Sequence, residues 1–262
     1  MINKSFLLPI IFLQISTLCF GQPKTWNGKK CAVVLTYDDA IDGHLDKVIP
    51  ALDSLKFKGT FYLIASAPVV ANRMNEWRKA AKKGHELGNH TLNHPCDGTL
   101  PGRSFVGPEA DLSKYSLARA VKETQIANTL LKAIDGKTER TFAYPCGDLK
   151  IGDSLYYNGL KNDFVAARGV TPQFSLIDEI DLSNINSFSQ VNSSGEQMIQ
   201  LVKQAEKTGS LLVFLFHGVG GGHSLNVDFE EHKKLLKYLK ANQKNIWVAP
   251  MVEVARYVKA SR

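Results

Sequence analysis

The sequence predicts an α/β fold in which helices cover a parallel sheet that is either doubly wound or closed into a barrel. Short apolar runs of strand length alternate with segments of helical periodicity along most of the chain. No internal repeat or interdomain linker interrupts this alternation. Residues 22–262 are therefore expected to form one domain.

The first half of the chain opens with a buried strand that is followed by an amphipathic helix. Pro50 should kink this first helix, and Gly84 should end the second. The longest helix is expected last in this half, where apolar residues recur between charged ones. The predicted strands are 31–37, 59–64, 86–89 and 141–144, and the predicted helices are 45–55, 75–83 and 113–134.

The second half continues the alternation after a short strand and a polar stretch. A glycine cluster at 218–222 breaks the pattern and predicts a loop. Pro250 is expected in the first turn of the last helix. The predicted strands are 164–167, 211–216 and 246–249, and two further helices are predicted at 196–207 and 229–239.

Residues 1–21 resemble an export signal, because residues 6–20 are nearly all apolar and small residues precede Gln22. An uncleaved membrane anchor is disfavoured, since the apolar run is short and polar sequence follows it directly. Lipoprotein processing at Cys19 is disfavoured by the bulky Leu18. The protein is therefore expected to be exported to the periplasm, the cell envelope or the medium, without stable membrane insertion.

The formal net charge of +7 comes from lysines and arginines scattered among acidic residues. No nucleic-acid-binding motif accompanies them, so nucleic acid is not a predicted partner. An ordinary basic surface explains the charge, and attraction to an anionic cell wall remains open.

Polar residues follow the predicted strands at the points where those strands end. Because the carboxyl ends of parallel strands share one face of the fold, these side chains are expected to converge. They are Asp38, Asp39, His90, His94, Tyr144 and His217.

Three of these residues could hold a metal ion beside a spare carboxylate. An Asp pair alone commonly caps a helix or forms a turn, and a His pair spaced by four is often incidental. A catalytic zinc, however, needs three protein ligands and an open position, and hydrolysis needs a base that is not bound to the metal. Asp38 and Asp39 with His90 and His94 meet both needs, which predicts metal-assisted hydrolysis.

The cysteines allow one disulfide. Cys31 lies on a predicted buried strand and should be an inert apolar residue. Cys96 follows His94 closely, and Cys146 follows another strand end, so both could lie at the same rim. A Cys96–Cys146 disulfide is the resulting hypothesis.

The ordered motifs identify a resemblance. Over roughly residues 30–257 the chain resembles the polysaccharide deacetylases of the NodB-homology type, carbohydrate esterase family 4. The matching segments are 36–39 (TYDD), 59–62 (GTFY), 84–90 (GHELGNH), 90–95 (HTLNHP), 140–147 (RTFAYPCG) and 215–217 (LFH).

The resemblance implies a distorted (β/α) barrel with about seven parallel strands, and it assigns roles. Asp39, His90 and His94 would bind one divalent metal, with Zn²⁺ expected and Co²⁺, Ni²⁺ or Mn²⁺ as alternatives. Asp38 would be the general base, and His217 would protonate the leaving group.

The resemblance also implies supporting groups. Arg140 would hold Asp38 by a charge-assisted hydrogen bond, and the backbone N–H of Tyr144 would stabilise the oxyanion. Loops over the site are expected at 97–111 and 218–226. Their candidate sugar contacts are Arg103, Phe105 and His223.

The chain departs from the family pattern between Asp163 and Val191. It has no D-x-x-D-W-like motif there, the motif whose acid and tryptophan flank the catalytic histidine in the family. Asp178 or Asp181 could take over the support of His217.

The predicted function is removal of acetyl groups from N-acetylated sugars of a polysaccharide or oligosaccharide of the chitin-oligomer or peptidoglycan type. One alternative is an acetylxylan-type O-acetyl esterase, because the same site cleaves esters. Another is a non-catalytic carbohydrate-binding relative, although a pure binder would not need an unligated carboxylate beside a metal. The oligomeric state is left unassigned.

Overall fold

A curled sheet of parallel strands forms the centre of the protein. The computed structural model describes residues 25–262. The sheet follows the order β5-β4-β3-β2-β1-β7-β6, and an eighth strand, β8, pairs with β1 off this path. The strands are β1 (Cys31–Asp38), β2 (Thr60–Leu63), β3 (Glu86–Asn89), β4 (Phe142–Ala143), β5 (Ala167–Arg168), β6 (Phe188–Ser189), β7 (Leu211–Phe216) and β8 (Ile246–Val248).

The pairing of β1 shows how the sheet curls. One edge of β1 pairs with β7 along residues 32–37. Its other edge is shared by two strands, with β8 opposite residues 31–33 and β2 opposite residues 36–38. The seven strands of the main order thus form a curled half-barrel, with β8 paired to β1 beside it, which confirms the predicted distorted (β/α) barrel.

Seven helices lie among the described residues. A π-helical turn at His44–Val48 runs directly into the first of them. The helices are α1 (Ile49–Ser54), α2 (Pro68–Asn72), α3 (Met74–Lys82), α4 (Leu117–Asp135), α5 (Gly195–Thr208), α6 (Phe229–Ala241) and α7 (Met251–Ala260).

The helix bounds follow local capping chemistry where they differ from prediction. The longest helix, α4, begins four residues later than predicted because the Ser116 side chain accepts the Arg119 N–H as its N-cap. Pro50 is the second residue of α1, directly after the π-helical turn His44–Val48, so the helix is irregular next to this proline. Pro250 is the N-cap of α7 and does not lie inside its first turn.

Alternation along β1 directs one set of side chains into the barrel. Ala32 and Val34 pack with α7, which covers the amino end of the barrel, whereas Val33 and Leu35 pack outward against the surrounding helices. Because side chains alternate along a strand, Asp38 faces the same interior as Ala32 and Val34, but at the carboxyl end. The strand period therefore places this carboxylate inside the barrel mouth.

Cys31 is fully buried, and burial raises the pKa of its thiol to about 12, as expected of an inert cysteine. No helix between residues 25 and 262 is long and apolar enough to cross a membrane. The predicted export signal at 1–21 lies outside the described residues.

Candidate metal centre and active site

The carboxyl ends of the strands surround a cleft of about 270 Å³. All but two of the predicted site residues line it, the exceptions being Arg103 and Arg140. The lining residues are Asp38, Asp39, His90, His94, Phe105, Tyr144, Cys146, Val170, Ser189, Leu215, His217, His223 and Leu225.

Asp39, His90 and His94 are arranged to hold one metal ion. Oδ1 of Asp39 lies 3.5 Å from Nε2 of His90 and 3.6 Å from Nε2 of His94. A tetrahedral zinc ion with bonds of about 2.1 Å separates its ligands by about 3.4 Å. Oδ1 of Asp39 is buried and has no hydrogen-bond partner within residues 25–262. The three atoms therefore fit a divalent cation.

The His90 ring presents the correct nitrogen to this position. Its Nδ1 lies 2.8 Å from the carbonyl oxygen of Ala143, so Nδ1 carries the proton and Nε2 keeps its lone pair. Burial lowers the pKa of His90 to about 3, which keeps the ring neutral. Burial also lowers the pKa of His94. Neutral imidazoles are the form that binds metal.

The chain adopts an uncommon backbone conformation around these ligands. Asp39 and His94 have φ values of 78° and 52°, and Ala40 and Thr91 beside them have 55° and 67°. Non-glycine residues rarely occupy this left-handed region, and such strain concentrates at functional sites. The Thr91 hydroxyl accepts the His94 N–H at 2.9 Å, which closes a tight turn between the two metal histidines.

Asp38 is the unligated carboxylate predicted beside the metal ligands. It is 3% exposed, and its Oδ2 accepts a hydrogen bond from Nη2 of the fully buried Arg168. Burial would raise the pKa of Asp38, but the charges of Arg168, His90 and His217 together bring it below its ordinary value. Its Oδ1 has no partner in the described chain. An ionised oxygen is thus available to accept a proton.

Asp39 differs from its neighbour in its electrostatic surroundings. Burial and the adjacent Asp38 carboxylate raise the pKa of Asp39. The Arg168 guanidinium pairs directly with Asp38, whereas Asp39 faces imidazoles. Asp38 is buried and Asp39 is largely buried, so a second positive charge, such as a divalent cation would supply, would stabilise the pair of carboxylates.

The predicted contact between Arg140 and Asp38 is wrong. Arg140 is buried, but it pairs with Asp135 at 3.1 and 3.2 Å and donates to the carbonyl oxygens of Leu87 and Lys137. It therefore ties the end of α4 to β3. Arg140 precedes β4 and so lies at the amino end of the sheet, whereas the cleft lies at the carboxyl end. Arg168 on β5 makes the contact with Asp38 that was predicted for Arg140.

The predicted role of the Tyr144 backbone is also contradicted. Its N–H donates to the Arg168 carbonyl at 3.1 Å, so it is not directed at a reacting group. The phenol of Tyr144 donates to the Ser183 carbonyl oxygen at 2.8 Å. Tyr144 lines the cleft and supports its wall.

His217 enters the cleft directly after β7, as its position predicted. Its Nε2 lies 3.9 Å from Oδ2 of Asp39, and its carbonyl oxygen accepts a hydrogen bond from Nε2 of His44 at 2.8 Å. Burial lowers the pKa of His217 against the opposing charges of the two aspartates. Its Nδ1 is buried without a hydrogen-bond partner among the described residues.

Neither acid considered as support for His217 is placed to provide it. The Asp181 carboxylate accepts the Ser183 N–H and hydroxyl at 2.8 and 2.7 Å. Asp178 is exposed in the turn Ile177–Glu179, whose Ile177 packs with α7 at the amino end of the barrel. The structure therefore contradicts both expectations.

Two of the three candidate sugar contacts lie at the cleft. Phe105 is 68% exposed at its rim, and Nε2 of His223 lies 3.7 Å from Oδ2 of Asp39. Arg103 instead forms a bidentate salt bridge with Asp148 at 2.9 and 3.0 Å. It also donates to the Cys146 carbonyl at 3.2 Å, so it anchors its loop to the neighbouring loop and does not point into the cleft.

A sequence profile described as polysaccharide deacetylase matches residues 26–159, about half of the chain. The chain belongs to the polysaccharide deacetylase family. Among curated relatives, it is 28% identical to a gellan lyase from Bacillus sp over 183 residues, 70% of this chain and 6% of that protein. It is 30% identical to the uncharacterized protein YlxY of Bacillus subtilis (strain 168) over 107 residues. That match covers 41% of this chain and 28% of YlxY, so the chain spans only a small part of either relative.

Solved structures of this polysaccharide deacetylase fold superpose over most of the chain. One, from Mycobacterium smegmatis and assigned to the polysaccharide deacetylases, has a TM-score of 0.63 at 15% identity and covers 91% of this chain and 94% of its own. The peptidoglycan deacetylase PdaC of Bacillus subtilis has 0.51 at 15%, covering 90% and 94%. A family 4 acetyl xylan esterase from Clostridium thermocellum, in complex with a cobalt ion, has 0.51 at 16%, covering 86% and 91%. At these identities the likeness shows the fold alone.

A disulfide joins the two loops beside the candidate metal ligands. Cys96 and Cys146 are bonded, with their Cα atoms 5.8 Å apart, which confirms the hypothesis drawn from the sequence. The bond ties the segment after His94 to the turn after β4. It therefore braces one wall of the cleft next to a metal ligand.

Replacing Cys96 and Cys146 together by alanine is expected to lower the free energy of unfolding by about 2–4 kcal/mol. The expectation follows from the 50-residue separation of the two cysteines, because an unlinked chain gains entropy when unfolded. Urea denaturation of the oxidised protein and the double variant measures the difference. Reduced wild type serves as the control and should match the variant; equal stability of all three would contradict the expectation.

Two supporting residues were missed from the sequence. Arg168 directly follows the predicted strand 164–167, and the rule that selected Asp38 at the end of a strand would have selected it too. His44 lies in the π-helical turn before α1, and no sequence pattern connects it with His217. Its Nδ1 accepts the Ile41 N–H at 3.3 Å, so its Nε2 is left to donate to the His217 carbonyl.

Proposed function

We propose that this polysaccharide deacetylase is an exported, metal-dependent hydrolase that removes acetyl groups from N-acetylated sugars of a polysaccharide or oligosaccharide. Chitin oligomers and peptidoglycan are the expected substrate types. The observation that carries the proposal is the buried, unpartnered Oδ1 of Asp39 facing Nε2 of His90 and of His94. The free oxygen of Asp38 lies beside this set.

Asp39, His90 and His94 would hold the ion. When bound there, a divalent metal acts as a Lewis acid on the acetyl carbonyl and lowers the pKa of bound water. Asp38 removes a proton as water adds to the acetyl carbon, and the buried Arg168 keeps Asp38 ionised and oriented.

His217 would act as the acid in the last step of the reaction. When the C–N bond breaks, the sugar nitrogen needs a proton to leave as an amine, and acetate is the second product. Nε2 of His217 lies 3.9 Å from Oδ2 of Asp39, whereas His90 and His94 face Oδ1, and it would deliver that proton.

An acetylxylan-type esterase is the second candidate, and one observation favours it. Nδ1 of His217 has no hydrogen-bond partner in the part of the chain that the structure describes, so no side chain there accepts a hydrogen bond from Nδ1 of a charged imidazole. An alkoxide leaves with less help from an acid than an amide nitrogen does. A solved structure of similar fold is described as an acetyl xylan esterase.

Metal removal tests the proposal. The protein is expected to release acetate from chitin oligomers or peptidoglycan, to lose this activity after treatment with a chelator, and to regain it with Zn²⁺, Co²⁺, Ni²⁺ or Mn²⁺. Acetate release and metal content are measured on the same preparations, and acetylxylan is assayed alongside. Activity that survives complete removal of metal would contradict the proposal, and cleavage of acetylxylan alone would establish the esterase.

Export rests on the N-terminal segment and has its own test. The protein expressed with residues 1–21 should appear outside the cytoplasm with a new N-terminus near Gln22. N-terminal sequencing of the exported material measures this. Retention of the intact N-terminus in the cytoplasm would contradict export.

A further inference from the structure

His223 lies against the face of His217. The two rings are nearly parallel, with centroids 5.0 Å apart and planes inclined by 14°. The His223 side chain is 31% exposed, so its outer face borders the open cleft. Its Nε2 is 3.7 Å from Oδ2 of Asp39, a distance too long for a hydrogen bond. His223 therefore meets the site through the stack on His217 and through its proximity to the Asp39 carboxylate.

The loop that carries His223 is held at both of its ends. Residues Gly218–Val219 pair with Asn226–Val227 in a short parallel ladder. The Asn226 side-chain oxygen accepts the Gly221 N–H at 2.8 Å, and Nζ of Lys47 donates to the Gly220 carbonyl. These contacts fix the loop on the barrel mouth.

Glycines in this loop are required by the same arrangement. Gly220, Gly221 and Gly222 have φ values of 71°, 107° and 86°, a region that other residues rarely adopt. A Cβ atom on Gly222 would lie 2.7 Å from the Ile41 side chain, and one on Gly218 would lie 3.2 Å from Cβ of His223. The glycine cluster therefore allows the loop to bring His223 close to His217.

The His223 ring is also oriented by its own loop. Its Nδ1 accepts the Leu225 N–H at 3.0 Å, so in the neutral ring Nε2 carries the proton. This bond fixes the ring plane without any contribution from His217. The loop thus orients the His223 ring independently of His217, and the His217 ring can stack on it.

The His217 ring needs such a surface because its buried Nδ1 has no hydrogen bond among the described residues that would fix the ring plane. His44 fixes only its backbone carbonyl, Nδ1 has no partner within residues 25–262, and the acids considered as support lie elsewhere. We propose that His223 is a positioning residue for His217. Stacking fixes the plane of the His217 ring so that its Nε2 points toward the leaving group. This inference rests on the proposed function. In it, the stacked His223 ring takes the supporting role that the acid of the D-x-x-D-W-like motif has in the family.

Three variants test the proposal. His223→Ala removes the stacked ring, His223→Phe keeps an aromatic face without nitrogen atoms, and Ser224→Ala is the control on the same loop. Acetate release gives kcat and KM separately, and metal content is measured on each protein. NMR signals of the His217 ring in chelated protein report the stack directly, because a neighbouring aromatic face shifts them.

His223→Ala is expected to lower kcat by roughly 10- to 100-fold, with little change in KM or metal content, because misplacing a reacting group costs about that much. The His217 ring signals should move in this variant. His223→Phe keeps the aromatic face but loses the bond from the Leu225 N–H, so it should restore part of the kcat lost in His223→Ala and keep the shifted signals. Ser224→Ala should match wild type.

Four results would overturn the proposal. They are unchanged kcat in His223→Ala, equal losses of kcat in His223→Ala and His223→Phe, loss of metal from His223→Ala, and His217 ring signals that do not respond to His223→Ala. If the wild type releases no acetate from any substrate, the proposed function fails. The ring signals of the chelated protein still decide whether His223 holds His217.

Discussion

Asp38→Asn is expected to retain the metal and to lower kcat for acetate release by about 10²- to 10⁴-fold, the contribution of a general base. Asparagine has nearly the same shape as aspartate, and its amide oxygen can still accept from Arg168. It cannot accept a proton from water at the oxygen that Asp38 keeps without a partner. Because Asp39, His90 and His94 are untouched, the metal ligands remain complete.

The measurement pairs metal content with kcat, and His94→Ala is the comparison. His94→Ala removes one of three ligands, so it should lose metal and activity together. Asp38→Asn should lose activity alone. Wild-type kcat in Asp38→Asn would remove the assignment of the base, and loss of metal from it would place Asp38 among the ligands.

The fold and the metal-ligand set could be predicted because both depend on local periodicity. The apolar run of β1 indicates a strand buried on both faces, and a parallel sheet brings residues at strand ends together. Asp38 ends a strand of four or more residues, the other four candidates follow such strands, and all five line the cleft: Asp38, Asp39, His90, His94 and His217. The loop cysteines could be paired for the same reason, since each follows a strand end.

The supporting contacts could not be predicted because they depend on two-residue strands and on loops. Arg140 lies just before β4 and Arg168 lies in β5. These two strands pair only through Phe142 with Ala167 and Ala143 with Arg168. A shift of one residue in this pairing would exchange the faces on which side chains lie. The same pairing brings the Tyr144 N–H to the Arg168 carbonyl, which a motif match cannot reveal.

The stacking of His223 on His217 could not be predicted either, for a related reason. A cluster of glycines indicates a loop but not its course, because glycine permits many backbone conformations. The ladder between Gly218–Val219 and Asn226–Val227 determines the course, and each of its strands has only two residues. His223 could therefore be predicted as a cleft residue, but its stacking on His217 could not.

Arg140 and Arg168 are equally buried but bind different partners, so replacing each of them by lysine separates their roles. Arg168→Lys is expected to lower kcat by roughly 100-fold, whereas Arg140→Lys should leave kcat near wild type. Lysine keeps the charge but cannot reproduce the planar guanidinium, and a misoriented base costs about this factor. Arg140 contacts Asp135, Leu87 and Lys137, none of which lines the cleft.

Stability separates the two roles further. Both arginines form a buried ion pair, and lysine keeps the charge but cannot make all the hydrogen bonds of the guanidinium, so both lysine variants should unfold at lower urea concentration. Kinetics are therefore measured at low temperature, where circular dichroism shows each variant folded. A loss of kcat in Arg140→Lys equal to that in Arg168→Lys would mean that instability, and not the orientation of Asp38, explains the effect. A loss confined to Arg168→Lys, with metal retained, assigns the support of the base to β5.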